Sequence, residues 1–264
     1  MSPEIYFALT LFVRMAVTAA FLIVATVTAE RAGPLVGGLV ASLPISTGPV
    51  YIFLSLDHSS QFIAESAIGT LVTNGINVVF AFIYALLAQK RPLWMSLGAA
   101  IAGWVALAWI ANSIAWTLTG AILWNVLAIV CSFLIAREFR HYRVPAIRAR
   151  WYDFVLRAGL VALLVGTVVT LSFHIGPKAS GLIAGYPIVF SSIMLVMHRS
   201  MGGRAAAAVM ANAILGLAGF ALGTITLHLA AVPLGSGPAL LLGLAACLSW
   251  GFLIYAVRLR GMPV

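Results

Sequence analysis

The chain has 264 residues, of which 63% are apolar and only 8% are charged. A soluble domain carries about 25% charged residues, so this composition excludes a sizeable soluble domain. It predicts an all-α, polytopic membrane protein. The net charge of +9 is assigned to short loops that meet anionic lipid headgroups, and nucleic acid is not expected as a partner.

Nine apolar stretches are long enough to cross a membrane as helices, which takes about 20 mostly apolar residues. Proline interrupts two of them, and the fourth and fifth form a hairpin through Asn112 and Ser113. The sequence therefore predicts about nine transmembrane helices. In chain order their ranges are 5–29, 33–56, 62–88, 93–111, 115–136, 153–174, 176–197, 205–231 and 238–257.

Basic residues alternate between the loops that join these spans. The loops after the second, fourth and eighth spans contain no arginine or lysine, and the loop after the sixth has only Lys178. Cytoplasmic loops carry an excess of both residues, which predicts an external N-terminus and a cytoplasmic C-terminus in a bacterial inner membrane. The basic residues that follow the odd-numbered spans are Arg31, Lys90, Arg91, Arg137, Arg140, Arg143, Arg148, Arg150, Arg199, Arg204, Arg258 and Arg260.

One motif occurs twice in the chain. Residues 33–45 read GPLVGGLVASLPI and residues 176–188 read GPKASGLIAGYPI, with seven identities in thirteen positions at a shift of 143. Arg14 and Arg157 each lie 19 residues before the first glycine of their copy. Such self-similarity at one fixed shift indicates that the chain consists of two related halves.

The two halves are predicted to be inverted copies. The sixth span comes five spans after the first, which is an odd number of membrane crossings. Equivalent spans therefore cross the membrane in opposite directions. His58 and His198 align at a shift of 140, because three residues are absent from the second copy. The predicted organisation is a first repeat of five spans at 1–136, a basic cytoplasmic linker at 137–152, and a second repeat of four spans at 153–264.

Both copies of the motif place a proline inside a predicted span. Proline removes a helical hydrogen bond, and in lipid the freed carbonyl groups must face protein or a water-filled cavity. Paired breaks in inverted halves are typical of a central binding site in secondary transporters, and ordinary kinks satisfied by nearby hydroxyl groups are the alternative. The substrate-binding candidates at the two breaks are Pro44, Ser46, Thr47, Pro187, Ser191 and Ser192.

Charged and amide side chains inside the spans are further candidates, because the membrane interior penalises them. Arg14 is predicted to attract an anion at one mouth of a pathway or to reach the headgroups, and Arg157 fits the second interpretation better. Glu65, the sole carboxylate inside a span apart from Asp153 at the first position of the sixth, is the candidate for proton coupling, for pairing with Arg14, or for a favourable position near a helix N-terminus. The amide candidates, for binding a solute or bridging helices, are Asn74, Asn77 and Asn212.

Each half resembles the GlpM-like proteins, small inner-membrane proteins with a charged first helix. The matching stretches read GLVASLPIS and GLIAGYPIV, and they are followed by AESAIGTL and AAAVMANAILG. The resemblance covers most of both halves and implies a fused, inverted tandem of that unit, joined by one additional linking helix. It implies little about function.

The motifs of hydrolases, metalloproteases and ATPases are absent from the sequence. We therefore expect neither an enzyme nor a bound cofactor. The first hypothesis is a secondary transporter or permease that moves a small anionic or amphipathic solute by alternating access. The alternative is a non-transporting membrane scaffold or accessory subunit of an envelope lipid or polysaccharide pathway. The expected partners are the solute and the lipid bilayer, and a homodimer is left open.

Overall fold

The structure is a computed structural model that describes residues 3–31, 44, 46–136, 138–139 and 151–259. Within these ranges nearly all residues lie in α-helices and none lies in a β-strand, so the all-α prediction is confirmed. The helices are α1 (Pro3–Arg31), α2 (Thr47–Asp57), α3 (Ser60–Leu87), α4 (Leu93–Ser113), α5 (Leu118–Ala136), α6 (Trp151–Ala184), α7 (Ile188–Met201), α8 (Gly203–Leu234) and α9 (Ser236–Leu259).

Seven stretches of the described chain are long and apolar enough to cross a membrane, which confirms a polytopic membrane protein. One of them, Val155–Met201, has 47 residues and contains the sixth and seventh predicted spans. Helix α2 has 11 residues and covers only the second part of the predicted span at 33–56. The first part of that span, 33–43, lies outside the described residues, as do residues 140–150 of the predicted linker. The total of nine spans stays a prediction.

Helix α3 lies at the centre of the molecule. Most of its residues are buried, including the large side chains of Phe80 and Tyr84, and it packs against α4, α5, α6 and α8. Helices α1 and α9 lie at the periphery, where bulky apolar side chains such as Phe12 and Leu241 are exposed. This distribution fits a protein surrounded by lipid, because lipid tails are as apolar as these side chains.

Helices α3 and α8 run antiparallel. Near the start of α3, the carbonyl group of Ala64 bonds to the His228 ring. In the middle of α3, the Asn74 amide donates to the carbonyl group of Leu217 at 2.9 Å. At the far end, the carbonyl group of Ala88 lies against Gly203. The residue number on α8 therefore falls as the number on α3 rises.

Helices α1 and α6 are also antiparallel. Met15 packs against Gly166, and Leu11 shares an apolar groove with Thr170. One to two turns further along α1, Leu22 is buried against Ala158, earlier on α6. The predicted repeat relates α1 to α6 and α3 to α8. The two helices of each pair thus run in opposite directions.

The molecule has two ends, separated along α3 by 28 helical residues or about 40 Å at 1.5 Å per residue. Two sets of side chains that contact one another define these ends. We call one the Asp57 end, which contains Arg14, Asp57, His58 and Ser172. We call the other the Tyr84 end, which contains Tyr84, Trp94, His198 and Arg199.

The chain changes direction at the Asp57 end where α6 passes Gly176. This residue has a φ of 75° and a ψ of 176°, a conformation that glycine adopts without steric cost, and helical structure resumes at Pro177. Lys178 then donates to the carbonyl groups of Asn112, at 2.9 Å, and Ile114. A cation at this position is favourable because it faces the negative end of the α4 dipole.

Candidate functional site

The helix that enters the membrane after Gly176 is interrupted at residues 185–187. Its first part ends at Ala184 and α7 begins at Ile188, directly after Pro187. Between them, the Tyr186 amide bonds back to the Ile183 carbonyl group at 3.0 Å, and the Ile188 amide to that of Tyr186 at 2.8 Å. These short-range bonds replace the regular helical pattern, because Pro187 has no amide hydrogen to donate. The predicted break in the seventh span is therefore present.

Side chains of α3 bond to carbonyl groups at and just before the break. Thr70 donates at 2.9 Å to the Gly181 carbonyl group, which also accepts the Gly185 amide at 3.2 Å. The Thr73 hydroxyl shares its hydrogen between the carbonyl groups of Leu182 and Gly69, each 3.1 Å away. Asn77 donates to Gly185 at 2.8 Å. Residues spaced by three and four positions share one face of a helix, so these donors form a continuous row. We call Thr70, Thr73 and Asn77 the α3 polar row.

Glycine residues bring the two backbones close enough for these bonds. A methyl group on Gly69 or Gly181 would overlap a backbone carbonyl oxygen of the other segment, that of Lys178 or Ser66 respectively. A methyl group on Gly185 would lie 2.7 Å from the Thr73 side chain. Small residues permit this close approach between membrane helices, and the contact at the second break is therefore dry and tightly packed.

Around Pro44, where residues 32–43 and 45 lie outside the described part of the chain, one hydrogen bond matches a bond at Pro187. The carbonyl group of Pro44 accepts from the Gly48 amide at 2.6 Å, as that of Pro187 accepts from Ser191 at 2.9 Å. Ser46 precedes the first residue of α2, and neither α2 nor α7 has a side-chain hydrogen bond that caps its N-terminus.

The start of α2 contacts the break before α7. The hydroxyl group of Thr47, the first residue of α2, donates to the Ala184 carbonyl group at 3.3 Å. Helix α2 then runs to the Asp57 end, whereas α7 runs to the Tyr84 end, where His198 lies. The two helices therefore begin close together and leave in opposite directions.

The remaining predicted hydroxyl groups bond within their own helix. Ser191 donates to the Pro187 carbonyl group at 2.9 Å, and Ser192 donates to that of Val189 at 2.7 Å. Ser192 is buried, whereas Ser191 is half-buried. Both lie in the first turn or so of α7, beside the break.

The three predicted amides have different surroundings. Asn77 belongs to the α3 polar row and also accepts from the Trp104 indole at 2.8 Å. Asn74 bridges α3 to Asn125 of α5 at 2.8 Å, in addition to its bond with α8. Asn212 bonds only one turn back, to the carbonyl group of Ala208 on its own helix. The structure thus brings Asn77 to the break, uses Asn74 as a helix bridge, and places Asn212 at neither contact.

Arg14 pairs with Asp57, not with Glu65. Its guanidinium group makes two hydrogen bonds to this carboxylate, one of them 2.7 Å long, and it lies 5.5 Å from the centre of the Phe53 ring. Glu65 is exposed on α3, where it accepts from Gln61 at 2.7 Å, so the predicted alternative of an Arg14–Glu65 pair is wrong. Arg157 is half-buried in the second turn of α6.

Sequence reasoning missed four contributors to the site. Thr70 and Thr73 form most of the α3 polar row, Trp104 bonds to Asn77, and the buried Tyr51 hydroxyl lies 2.7 Å from that of Thr70. A threonine row in register with Asn77 was visible in the sequence. The sequence did not show that this row binds another segment, because threonine in a membrane helix usually bonds back to its own backbone.

His58 follows α2 at the Asp57 end, and burial lowers the pKa of its imidazole below the ordinary value of 6.5, while the charge of Asp57 opposes this shift. The ring therefore tends to be neutral and can share a hydrogen with the Ser172 hydroxyl, 2.8 Å away. Among the described residues, no three His, Cys, Asp or Glu side chains come together as a group that could hold a metal ion.

The chain matches no protein family model, no curated protein and no solved structure. The resemblance of its halves to the GlpM-like proteins therefore stays a prediction based on the quoted motifs.

Proposed function

We propose that the protein is a secondary transporter that moves a small anionic or amphipathic solute by alternating access. The observation that carries this proposal is the contact between Thr47, where α2 begins, and Ala184, which precedes the break before α7. From this contact α2 and α7 run towards opposite ends of the molecule. Discontinuous helices that meet near the middle of the bilayer form the substrate and ion sites of many transporters.

The proposal includes inverted repeats. Its support is the antiparallel direction of α1 and α6 and of α3 and α8, the pairs that the repeated motif makes equivalent. The contacts of the other helices agree, since α4 packs against α7 while α9 packs against α2. In this arrangement α2 is the second part of a broken span, and the fold has nine spans.

The preference for an anion is supported by the helix ends at the break. Helices α2 and α7 both begin there, and neither N-terminus is capped by a side chain. A helix N-terminus carries a partial positive charge and free amide groups, so two such ends favour a negatively charged group. The carboxylates offer little to a cation, because Asp57 is paired with Arg14 and Glu65 is exposed.

The proposed membrane orientation rests on the positions of arginine and lysine at the helix ends. Lys90, Arg91, Arg199 and Arg204 flank the helix ends that meet at the Tyr84 end. We propose that this end faces the cytoplasm and that the Asp57 end faces outwards, in a bacterial inner membrane.

A second candidate function is supported by the close packing at the second break. Gly69, Gly181 and Gly185 bring the backbones into direct contact, and the α3 polar row satisfies the free carbonyl groups. A non-transporting scaffold or accessory subunit of an envelope pathway needs only such rigid contacts. A transporter, in contrast, has to exchange them during its cycle.

Transport assays on two valine variants separate these functions. A thermal-shift screen of carboxylates and phosphate esters identifies a stabilising solute, and uptake of that solute is then measured in proteoliposomes. Thr47→Val removes the hydrogen bond between the breaks and should reduce uptake at least tenfold while the protein still inserts. The matched control is Thr167→Val, because Thr167 is exposed and bonds to its own helix. A screen without any stabilising anion, or no uptake by the unmodified protein, would favour the scaffold. Full uptake by Thr47→Val would show that transport does not need the contact between Thr47 and Ala184.

A further inference from the structure

Each interrupted helix ends at a histidine that bonds to a hydroxyl group in the other half of the chain. His58 follows α2, and its Nε2 atom lies 2.8 Å from the Ser172 hydroxyl on α6. His198 lies in the last turn of α7, and its Nδ1 atom lies 2.8 Å from the Tyr84 hydroxyl on α3. The two histidines are 140 positions apart and lie at opposite ends of the molecule.

At the Asp57 end, the histidine is one of the contacts that join the two halves, together with the hydrogen bond of 3.1 Å between Ser60 and Ser236. The Arg14–Asp57 ion pair connects α1 with α2, and both residues belong to the first half. The His58 ring is stacked on Phe62 of the first half at 3.8 Å and lies 4.7 Å from Phe173 of the second. Movement of α1 and α2 away from α6 would therefore leave the ion pair intact and break the bond between His58 and Ser172.

At the Tyr84 end, the equivalent contact joins α7 of the second half to the first half. The His198 ring meets the Tyr84 ring edge-on, with 6.1 Å between the ring centres. The next residue, Arg199, places its guanidinium group 5.1 Å from the centre of the Trp94 ring on α4. Movement of α7 away from α3 and α4 would break both contacts.

We propose that the His58–Ser172 and His198–Tyr84 contacts are the two gates of the protein, one closing each end of the path to the breaks. This inference rests on the proposed transport function. If one half rocks against the other, the gap that opens at one end has to break the contact between the halves at that end and can leave the opposite contact in place. Both contacts are present in the structure.

Accessibility of the break from each side tests the gates without a known solute. The full chain carries Cys131→Ser, Cys247→Ala and the reporter Ser46→Cys, and a membrane-impermeant maleimide is added to spheroplasts or to inverted vesicles. His58→Phe and His198→Phe keep an aromatic ring but cannot make the hydrogen bond. Each should raise the labelling rate about two- to tenfold, the population change expected from one lost hydrogen bond. The two variants should do so from opposite sides of the membrane.

Control variants separate gating from loss of structure. His174→Phe changes an exposed histidine on α6 and should leave labelling from both sides unchanged. His58→Gln and His198→Gln retain a hydrogen-bond donor. Both variants should be labelled as slowly as the protein with both histidines. Every variant is first checked for a monodisperse size-exclusion profile, and Ser192→Cys serves as a second reporter beside the break.

The gate assignment is overturned if the two phenylalanine variants increase labelling from the same side, or if neither changes it with either reporter. Labelling from opposite sides combined with no uptake of any solute would retain the two contacts as closures and reject the transport function. Uptake that requires Thr47 together with unchanged labelling would retain transport and reject the gates.

Discussion

The proposed repeat places helices α3 and α8 in equivalent positions, yet the side chains at three matched positions differ in polarity. At the shift of 140, the threonine, threonine and asparagine of the α3 polar row correspond to Met210, Ala213 and Leu217 on α8. The backbones of both helices pack together in antiparallel directions, and both are long and apolar. The two helices are thus alike in the path of the backbone. They differ at the three matched positions, where only α3 has hydrogen-bonding side chains.

This difference means that the two breaks are not chemically equivalent. The break at 185–187 receives three side-chain donors from α3. Helix α8 has apolar side chains at the corresponding positions, so these side chains cannot donate hydrogen bonds to the carbonyl groups of a chain break. We infer that α3 supplies the polar wall of the site and that α8 mainly supplies packing. Two pairs of substitutions on these helices and one substitution of His58 test this division.

The largest effect is expected from alanine in place of glycine. Gly69→Ala on α3 would push a methyl group into the Lys178 carbonyl group and should cost about 1–3 kcal/mol of unfolding free energy. Gly216→Ala on α8 meets open space and should be neutral or stabilising by up to about 1 kcal/mol, because alanine favours helix. Equilibrium unfolding of both variants in detergent measures the difference. Equal stability would show that the close approach of α3 is dispensable.

A comparable or somewhat smaller effect is expected from removal of an amide side chain. Asn77→Leu leaves the Gly185 carbonyl group and the Trp104 indole without their partner, which should destabilise the protein by about 1–3 kcal/mol. Asn212→Leu on α8 removes only a bond to its own helix and should change stability by less than about 0.5 kcal/mol. The same unfolding experiment applies. If Asn212→Leu were the more damaging change, the polar wall would not belong to α3.

The smallest effect concerns pH and the two histidines. Tyr84 on α3 reaches His198, but Thr224, its counterpart on α8, bonds back to Phe220, and His58 has its hydroxyl partner on α6 instead. The pKa of His58 is lowered in the folded protein, so the unfolded chain binds the proton more readily. The stability that neutral His58 contributes is therefore complete above pH 6.5 and is lost as the pH falls below that value.

The charged and titratable groups near His58 are Asp57, which follows the same helix, and Arg14, which is paired with it on α1. The thermal unfolding temperature should consequently fall by a few degrees between pH 7.5 and pH 5.5, because burial penalises the charged ring. His58→Gln should flatten this part of the profile. An unchanged slope in that variant would assign the pH response to another group.

Several features of the fold could be predicted from the sequence. The apolar stretches, the prolines and the repeated motif predicted the helices, the break before α7 and the change of direction at Gly176, because these follow from local chemistry. The partner of Arg14 could not be predicted in this way. Asp57 and Glu65 lie at similar distances along the chain from Arg14, and only the packing of α2 against α1 and α6 brings one carboxylate to the guanidinium group.

The sequence by itself determined that this chain resides in a membrane and where its helices have to break, because hydrophobic length and the missing amide hydrogen of proline act locally. The tertiary structure alone decided how the break is satisfied. Thr70, Thr73 and Asn77 lie more than a hundred positions from the carbonyl groups they bind, and only the glycine-mediated approach of the two segments brings donor and acceptor together. Hydrogen bonds need short distances, and distances between remote segments are set by packing.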